Sequence, residues 1–90
     1  MSNVIHFPDT LDALEMVRMR PQLTRLLNRH PKQIVLDLAA TREVKLAGLG
    51  ILWDRLRRSG NGHSEIQFLN VSPPVYRTLV RAGVNGFLKS

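Results

Sequence analysis

Short runs of consecutive apolar residues alternate along the chain with longer segments in which apolar residues recur every three or four positions. Four of these runs are rich in β-branched or aromatic residues and predict strands at residues 4–7, 33–38, 65–69 and 86–88. Strands that alternate with helices are typical of βαβ units with a largely parallel sheet. The pattern therefore predicts an α/β fold, in which successive apolar residues bury both faces of each strand.

The first helical segment covers residues 11–28 and is interrupted by a proline. Leu23, Leu26 and Leu27 share one face of it, as in an amphipathic helix. Pro21 has no backbone N–H and cannot continue the hydrogen-bond ladder of a helix. We therefore expect a first helical turn before Pro21 and a new helix that begins near it.

The second helical segment, residues 47–59, has the spacing of an amphipathic helix and ends at a flexible turn of residues 59–62. Its apolar stripe consists of Leu49, Leu52, Trp53 and Leu56. Because this spacing is that of core packing, Trp53 is predicted to lie in the core or at its edge, and not to serve as a stacking platform.

The third helical segment has a clear beginning. Ser72 is a predicted N-cap, and Pro73 suits the first position of a helix. Val71 is placed to pack against Tyr76, and Gly83 ends the helix. The predicted buried stripe consists of Val75, Leu79 and Ala82.

Length and composition limit the range of functions. The 90 residues predict one domain, 1–90, and a content of 43% hydrophobic and 22% charged residues is typical of globular proteins. The absence of cysteine excludes a disulfide framework and fits a cytoplasmic location. No apolar run approaches the roughly 18 residues of a membrane span, so we expect no membrane insertion.

The chain is basic, with a net charge of +6, but the charge is unevenly distributed. Residues 1–17 contain neither Lys nor Arg. The densest basic run, Arg55, Arg57 and Arg58, lies at the end of the second helix, where cations complement the helix dipole and usually face water. Aromatic residues are few and are not interleaved with these cations. The charge therefore indicates an acidic partner, and binding to nucleic acid is the weakest hypothesis.

The sequence contains no motif for catalysis, for a cofactor or for a metal site. The three histidines are far apart, and none has a second histidine or a carboxylate at the spacing of metal ligands. Gly48 and Gly50 begin a helix, but the third glycine of a dinucleotide-binding loop would fall at Trp53. We therefore expect the protein not to be an enzyme and to need no cofactor.

Two segments resemble the STAS domain of bacterial anti-sigma factor antagonists. Residues 33–38 and the Ala-Gly-Leu-Gly-Ile-Leu of residues 47–52 are similar to a family strand and to the D-S-S-G-L-G-x-L helix start that follows it. Residues 68–84, with Asn-Val-Ser-Pro and Ala-Gly-Val, are similar to the closing strand, helix and turn. The resemblance implies a STAS-like single domain with a small, largely parallel β-sheet and about three helices, in which the family's first strand is missing or reduced.

The chain departs from the family at its phosphorylation motif. D-S-S-G reads Lys-Leu-Ala-Gly at residues 45–48, and Leu46 takes the position of the serine that a partner kinase phosphorylates. The resemblance implies a partner-binding surface made of the loop of residues 42–47 and the exposed face of the second helix. The candidate contact residues are Arg42, Glu43, Lys45, Leu46, Ala47 and Gly48. Glycine at position 48 either admits a partner backbone or turns a tight loop.

The partner that the resemblance implies is an anti-sigma factor or a kinase of the ATPase fold, bound without control by serine phosphorylation. A second hypothesis is a cytosolic accessory subunit that binds the ATPase of a transporter, as some stand-alone STAS proteins do in lipid-exporting ABC systems. Neither hypothesis involves catalysis.

Asp37 also resembles the strand-end aspartate of response-regulator receiver domains. A receiver needs two acids after its first strand to bind magnesium, whereas Pro8 and Asp9 supply one. We therefore expect Asp37 to cap a loop by accepting backbone hydrogen bonds.

Overall fold

The computed structural model of the chain describes residues 3–59 and 65–83. Each helix follows one or two strands along these residues. The strands are β1 (Val4–His6), β2 (Thr10–Leu11), β3 (Gln33–Asp37), β4 (Glu43–Val44) and β5 (Glu65–Leu69), and the helices are α1 (Ala13–Leu27), α2 (Leu46–Ser59) and α3 (Pro73–Arg81). The strand predicted at residues 86–88 and the turn after residue 59 lie outside the described residues.

The strands form two parallel sheets within the described residues. The larger sheet has the order β1-β3-β5, and the smaller one pairs β2 with β4. The predicted α/β fold with a largely parallel sheet is confirmed. The two-residue strands β2 and β4 were not predicted, because two residues are too few to show a periodic pattern.

The helices cover one face of the larger sheet. Ile5, Leu36 and Phe68 are neighbours across its three strands, are at most 3% exposed, and share one hydrophobic cluster with the buried stripes of all three helices. On the other face, the Gln33 amide donates to the Gln67 side chain at 3.1 Å. The prediction that both faces are buried is wrong, because the described helices pack against only one of them.

α1 is one continuous helix and contains Pro21. The prediction of a break there is wrong. The Asp12 side chain caps the helix by accepting from the Glu15 N–H at 2.8 Å. A proline inside a helix costs about 3 kcal/mol, but each buried apolar side chain contributes about 1.5–3 kcal/mol, and the buried stripe extends to both sides of Pro21. That stripe consists of Met16, Met19, Leu23, Leu26 and Leu27.

α2 has the predicted amphipathic stripe. Leu49, Leu52 and Leu56 are buried, and Trp53 is partly buried and packs against the core cluster. Trp53 therefore lies at the edge of the core, as expected.

α3 begins and ends as predicted but has a shorter buried stripe. The Ser72 hydroxyl accepts from the Val75 N–H at 3.5 Å, and Gly83 follows the helix with a φ of 81°. Val75 and Leu79 are buried, whereas Ala82 is exposed because it is already the C-cap residue. The prediction that Ala82 belongs to the stripe is wrong.

Candidate functional site

The beginning of α2 presents apolar side chains to solvent. Leu46 is the first residue of the helix and is 61% exposed. Ala47 and Gly50 are also exposed. Among the predicted contact residues, Leu46 and Ala47 thus lie together on an accessible surface.

Gly48 is buried, although it was predicted as a partner contact. A Cβ atom at this position would lie 2.7 Å from the Asp12 carbonyl carbon and 2.8 Å from the Leu11 carbonyl oxygen. The need for glycine therefore comes from the chain's own backbone and not from a partner's. Gly48 packs beneath the exposed residues of this surface and is not itself accessible to a partner.

The segment 42–47, predicted as a loop, contains β4 and the first two residues of α2. Glu43 begins β4, and the N–H groups of Arg42 and Glu43 both donate to the Asp9 carbonyl oxygen, at 2.8 and 3.2 Å. The Lys45 N–H donates to the Leu11 carbonyl oxygen at 2.8 Å. These hydrogen bonds fix the backbone that precedes α2 and thereby the position of Leu46.

Two exposed ion pairs involve the charged residues of this segment. The Arg42 guanidinium contacts Asp9 through both carboxylate oxygens, with distances of 2.7 and 3.0 Å. The hydrogen bonds from Arg42 lower the pKa of Asp9 below its ordinary value, and Asp9 raises the pKa of Arg42. Lys45 Nζ lies 3.1 Å from the Glu43 carboxylate. Both pairs are open to solvent and contribute little to stability.

Thr41 is the nearest hydroxyl before α2, and it is buried. Only 2% of the residue is exposed, and its Oγ1 donates to the Pro8 carbonyl oxygen at 2.8 Å. A kinase cannot reach this hydroxyl without opening the structure around it.

An open cleft of about 280 Å³ lies between α1 and α2 and was not predicted. Exposed Val17 and Ile51 face it from the two helices. The cleft could not be predicted with a helix break at Pro21, because Val17 and Leu23 line it together only when α1 is continuous. The lining residues are Met16, Val17, Arg20, Leu23, Ile51 and Arg55.

The carboxyl ends of β1, β3 and β5 bring together a polar cluster. His6 Nδ1 lies 3.1 Å from Asp37, whose other oxygen accepts from the Asn70 amide at 3.0 Å and the Ala39 N–H at 2.9 Å. These bonds, first that from Asn70 and then that from Ala39, lower the pKa of Asp37. Asp37 caps the loop after β3, as expected. Its contact with His6 was not predicted, because the two residues are 31 positions apart in the sequence.

Neither this cluster nor any other group in residues 3–59 and 65–83 brings three His, Asp or Glu side chains together for a metal ion. In the same part of the chain, no helix combines the length and the apolar character that crossing a bilayer requires.

Residues 2–89 match the family model of the STAS domain. The fold is similar to the crystal structure of a sulfate transporter family protein from Wolinella succinogenes, with a TM-score of 0.68 and 17% identity over 92% of this chain and 67% of that chain. No curated protein matches. The structural likeness supports the fold, and the family match over almost the whole sequence shows that this chain belongs to the STAS domain family.

Proposed function

We propose that this chain is a non-catalytic interaction module that binds a protein of the ATPase fold, an anti-sigma factor or a kinase, through the exposed start of α2. STAS domains are generally non-catalytic and mediate protein–protein interactions. The proposed binding surface consists of Arg42, Glu43, Lys45, Leu46 and Ala47.

The exposure of Leu46 is the observation that carries this proposal. A leucine that is 61% exposed at the first position of a helix contributes little to the stability of the fold, since it buries little apolar area. In a complex, the same side chain would leave water and contribute as an apolar anchor. Leu46 also stands where the family's phosphorylatable serine would be.

Regulation is proposed to differ from that of the phosphorylated family members. Phosphate at a helix start within an interface would separate partners by charge and by bulk. Leu46 has no hydroxyl, and Thr41 is buried with its hydroxyl bonded to Pro8. We therefore infer that the complex forms and persists in the presence of ATP, without a serine switch.

A transporter ATPase is the second candidate partner. The likeness of the fold to a sulfate transporter family protein supports a role beside a transporter. Both candidates use the same surface, and the identity of the captured protein distinguishes them.

The test is co-purification of the tagged chain from its native cell, with Leu46→Glu as the variant. The wild-type chain is expected to retain an ATPase-fold protein that mass spectrometry identifies. Leu46→Glu is expected to lose it, because an unpaired carboxylate would enter the interface.

Val80→Glu is the matched control, because Val80 is 40% exposed and belongs to α3, outside the segment 42–47 that forms the proposed surface. This variant is expected to retain the partner. Equal retention by both variants, with normal circular dichroism, would refute the proposed surface.

A further inference from the structure

The cleft between α1 and α2 has an apolar floor and a cationic rim. Met16 and Leu23 are buried below it, and Val17 is 65% exposed at its edge. Arg20 and Arg55 line it from the two helices. The Arg55 guanidinium donates to the Thr24 hydroxyl of α1, which links the helices at this point.

The cleft begins about one helical turn along α2 from the proposed binding surface. Ala47, Ile51 and Arg55 are four residues apart and form one row on α2. This row begins beside Leu46 and runs along the cleft. A partner that covers the start of α2 would therefore also meet the cleft.

The two charged residues that line the cleft, Arg20 and Arg55, are both cationic. α1 and α2 together contain six arginines and two acidic residues, Glu15 and Asp54. Glu15 already pairs with Arg18 at 3.0 Å. No carboxylate in the described residues pairs with Arg20. Arginine binds carboxylates through two parallel hydrogen bonds, so a carboxylate-bearing partner complements this rim.

We propose that the cleft seats an acidic amphipathic helix of the protein partner, with its apolar side chains between Val17 and Ile51 and a carboxylate on Arg20. This inference rests on the proposed function and gives the chemistry of the partner. The volume of about 280 Å³ lies just below the roughly 300–1,000 Å³ of pockets that enclose small molecules, and suits side chains inserted from a helix.

Two other occupants fit the cleft less well. A second copy of the chain would bring arginine-rich helices against each other, and like charges in an interface oppose association. An anionic membrane would attract the arginines, but apolar side chains that enter a bilayer have to protrude. Val17 and Ile51 instead face the cleft from its two sides.

The test is an NMR titration of the isotope-labelled chain with a synthetic peptide. The peptide is a helix of about 18 residues with leucines at three- and four-residue spacing and flanking glutamates. Amide shifts are expected at Val17, Arg20, Ile51 and Arg55, with none at Arg77. A second peptide with glutamine in place of each glutamate is expected to bind about tenfold more weakly or not at all, because it cannot pair with the rim.

Arg20→Glu and Arg77→Glu form a matched pair of variants, since both arginines are exposed and only Arg20 lines the cleft. Arg20→Glu is expected to weaken binding of the acidic peptide about tenfold, and Arg77→Glu by less than about twofold.

The inference would be overturned by an absence of amide shifts at peptide concentrations up to about 1 mM, where even weak binding is visible. Shifts confined to residues outside the cleft, or equal binding of the two peptides, would also overturn it. So would shifts at the cleft with phosphatidylglycerol vesicles. None of these involves the native partner. If the peptide fails while Leu46→Glu still loses the co-purified partner, the cleft inference is wrong and the proposed function stands.

Discussion

The Cα atom of Gly48 lies against the backbone of Asp12, so closely that a Cβ atom at position 48 would be 2.7 Å from both the Asp12 Cα and its carbonyl carbon. Asp12 is also the N-cap of α1. The start of α2 is therefore fixed against the start of α1. This contact holds Leu46 and the row that begins at Ala47 in a constant position relative to the cleft.

Gly48→Ala should lower the free energy of unfolding by about 1–3 kcal/mol, because the new methyl group meets backbone that cannot rotate away. Gly50 is the matched control in the same helix. A Cβ atom there would meet nothing within 4 Å, so Gly50→Ala should raise stability by up to about 1 kcal/mol through helix propensity. Urea denaturation of the two variants measures both effects. Equal effects of the same sign would contradict the close approach at Gly48.

Asn70→Gly should raise the pKa of Asp37 toward its ordinary value of 3.8, because the amide of Asn70 is the largest cause that lowers it. Glycine suits the φ of 57° at this position and adds no backbone strain. Carbon-detected NMR titration of the carboxyl group measures the change. His6→Ala is the control and should move this pKa less, since His6 is a smaller cause.

The sign of the associated pH dependence follows from the direction of the shift. A carboxyl group whose pKa is lower in the folded than in the unfolded state stabilises the fold above the unfolded value, here near pH 4, and this stabilisation is lost as the pH falls through the folded value. The loss of stability between pH 4 and more acidic values should thus be smaller in Asn70→Gly than in the wild type. An equal loss would mean that other carboxylates account for it.

Incubation with ATP and a serine kinase of the anti-sigma type should leave residues 41–48 without phosphate, because Leu46 has no hydroxyl and that of Thr41 is buried. Peptide mapping by mass spectrometry measures occupancy. Leu46→Ser is the positive control, since it places a hydroxyl where the resemblance predicts the family's serine, and it should be phosphorylated. High occupancy on Thr41 of the wild-type chain would contradict the absence of a switch.

The sequence predicted most of the fold, because its longer strands are rich in β-branched or aromatic residues and its helices have regular apolar stripes. The main error was the predicted helix break at Pro21. Its local effect is to break a helix, but Met16 and Met19 before it and Leu23 and Leu26 after it lie on one buried face. Their combined burial outweighs the local cost, and that balance depends on tertiary packing rather than on the residues next to the proline.

The candidate site was predicted only in part. Leu46 was singled out through the resemblance alone, which predicts the family's serine position there. The contact of His6 with Asp37 depends on the register of β1 against β3, and the cleft between Val17 and Ile51 depends on the packing of two helices. Neither arrangement has a sequence pattern of its own.

The most direct test of the proposed function is calorimetry of the purified ATPase-fold partner with the wild-type chain and with Leu46→Glu. We predict that the substitution weakens binding by about 2 kcal/mol or more, since it places an unpaired charge in the interface. The stability of the free variant should stay unchanged or rise by about 0.3–1 kcal/mol, because a carboxylate complements the start of a helix. Unchanged affinity in a folded variant would contradict the account, and so would binding that falls only together with unfolding.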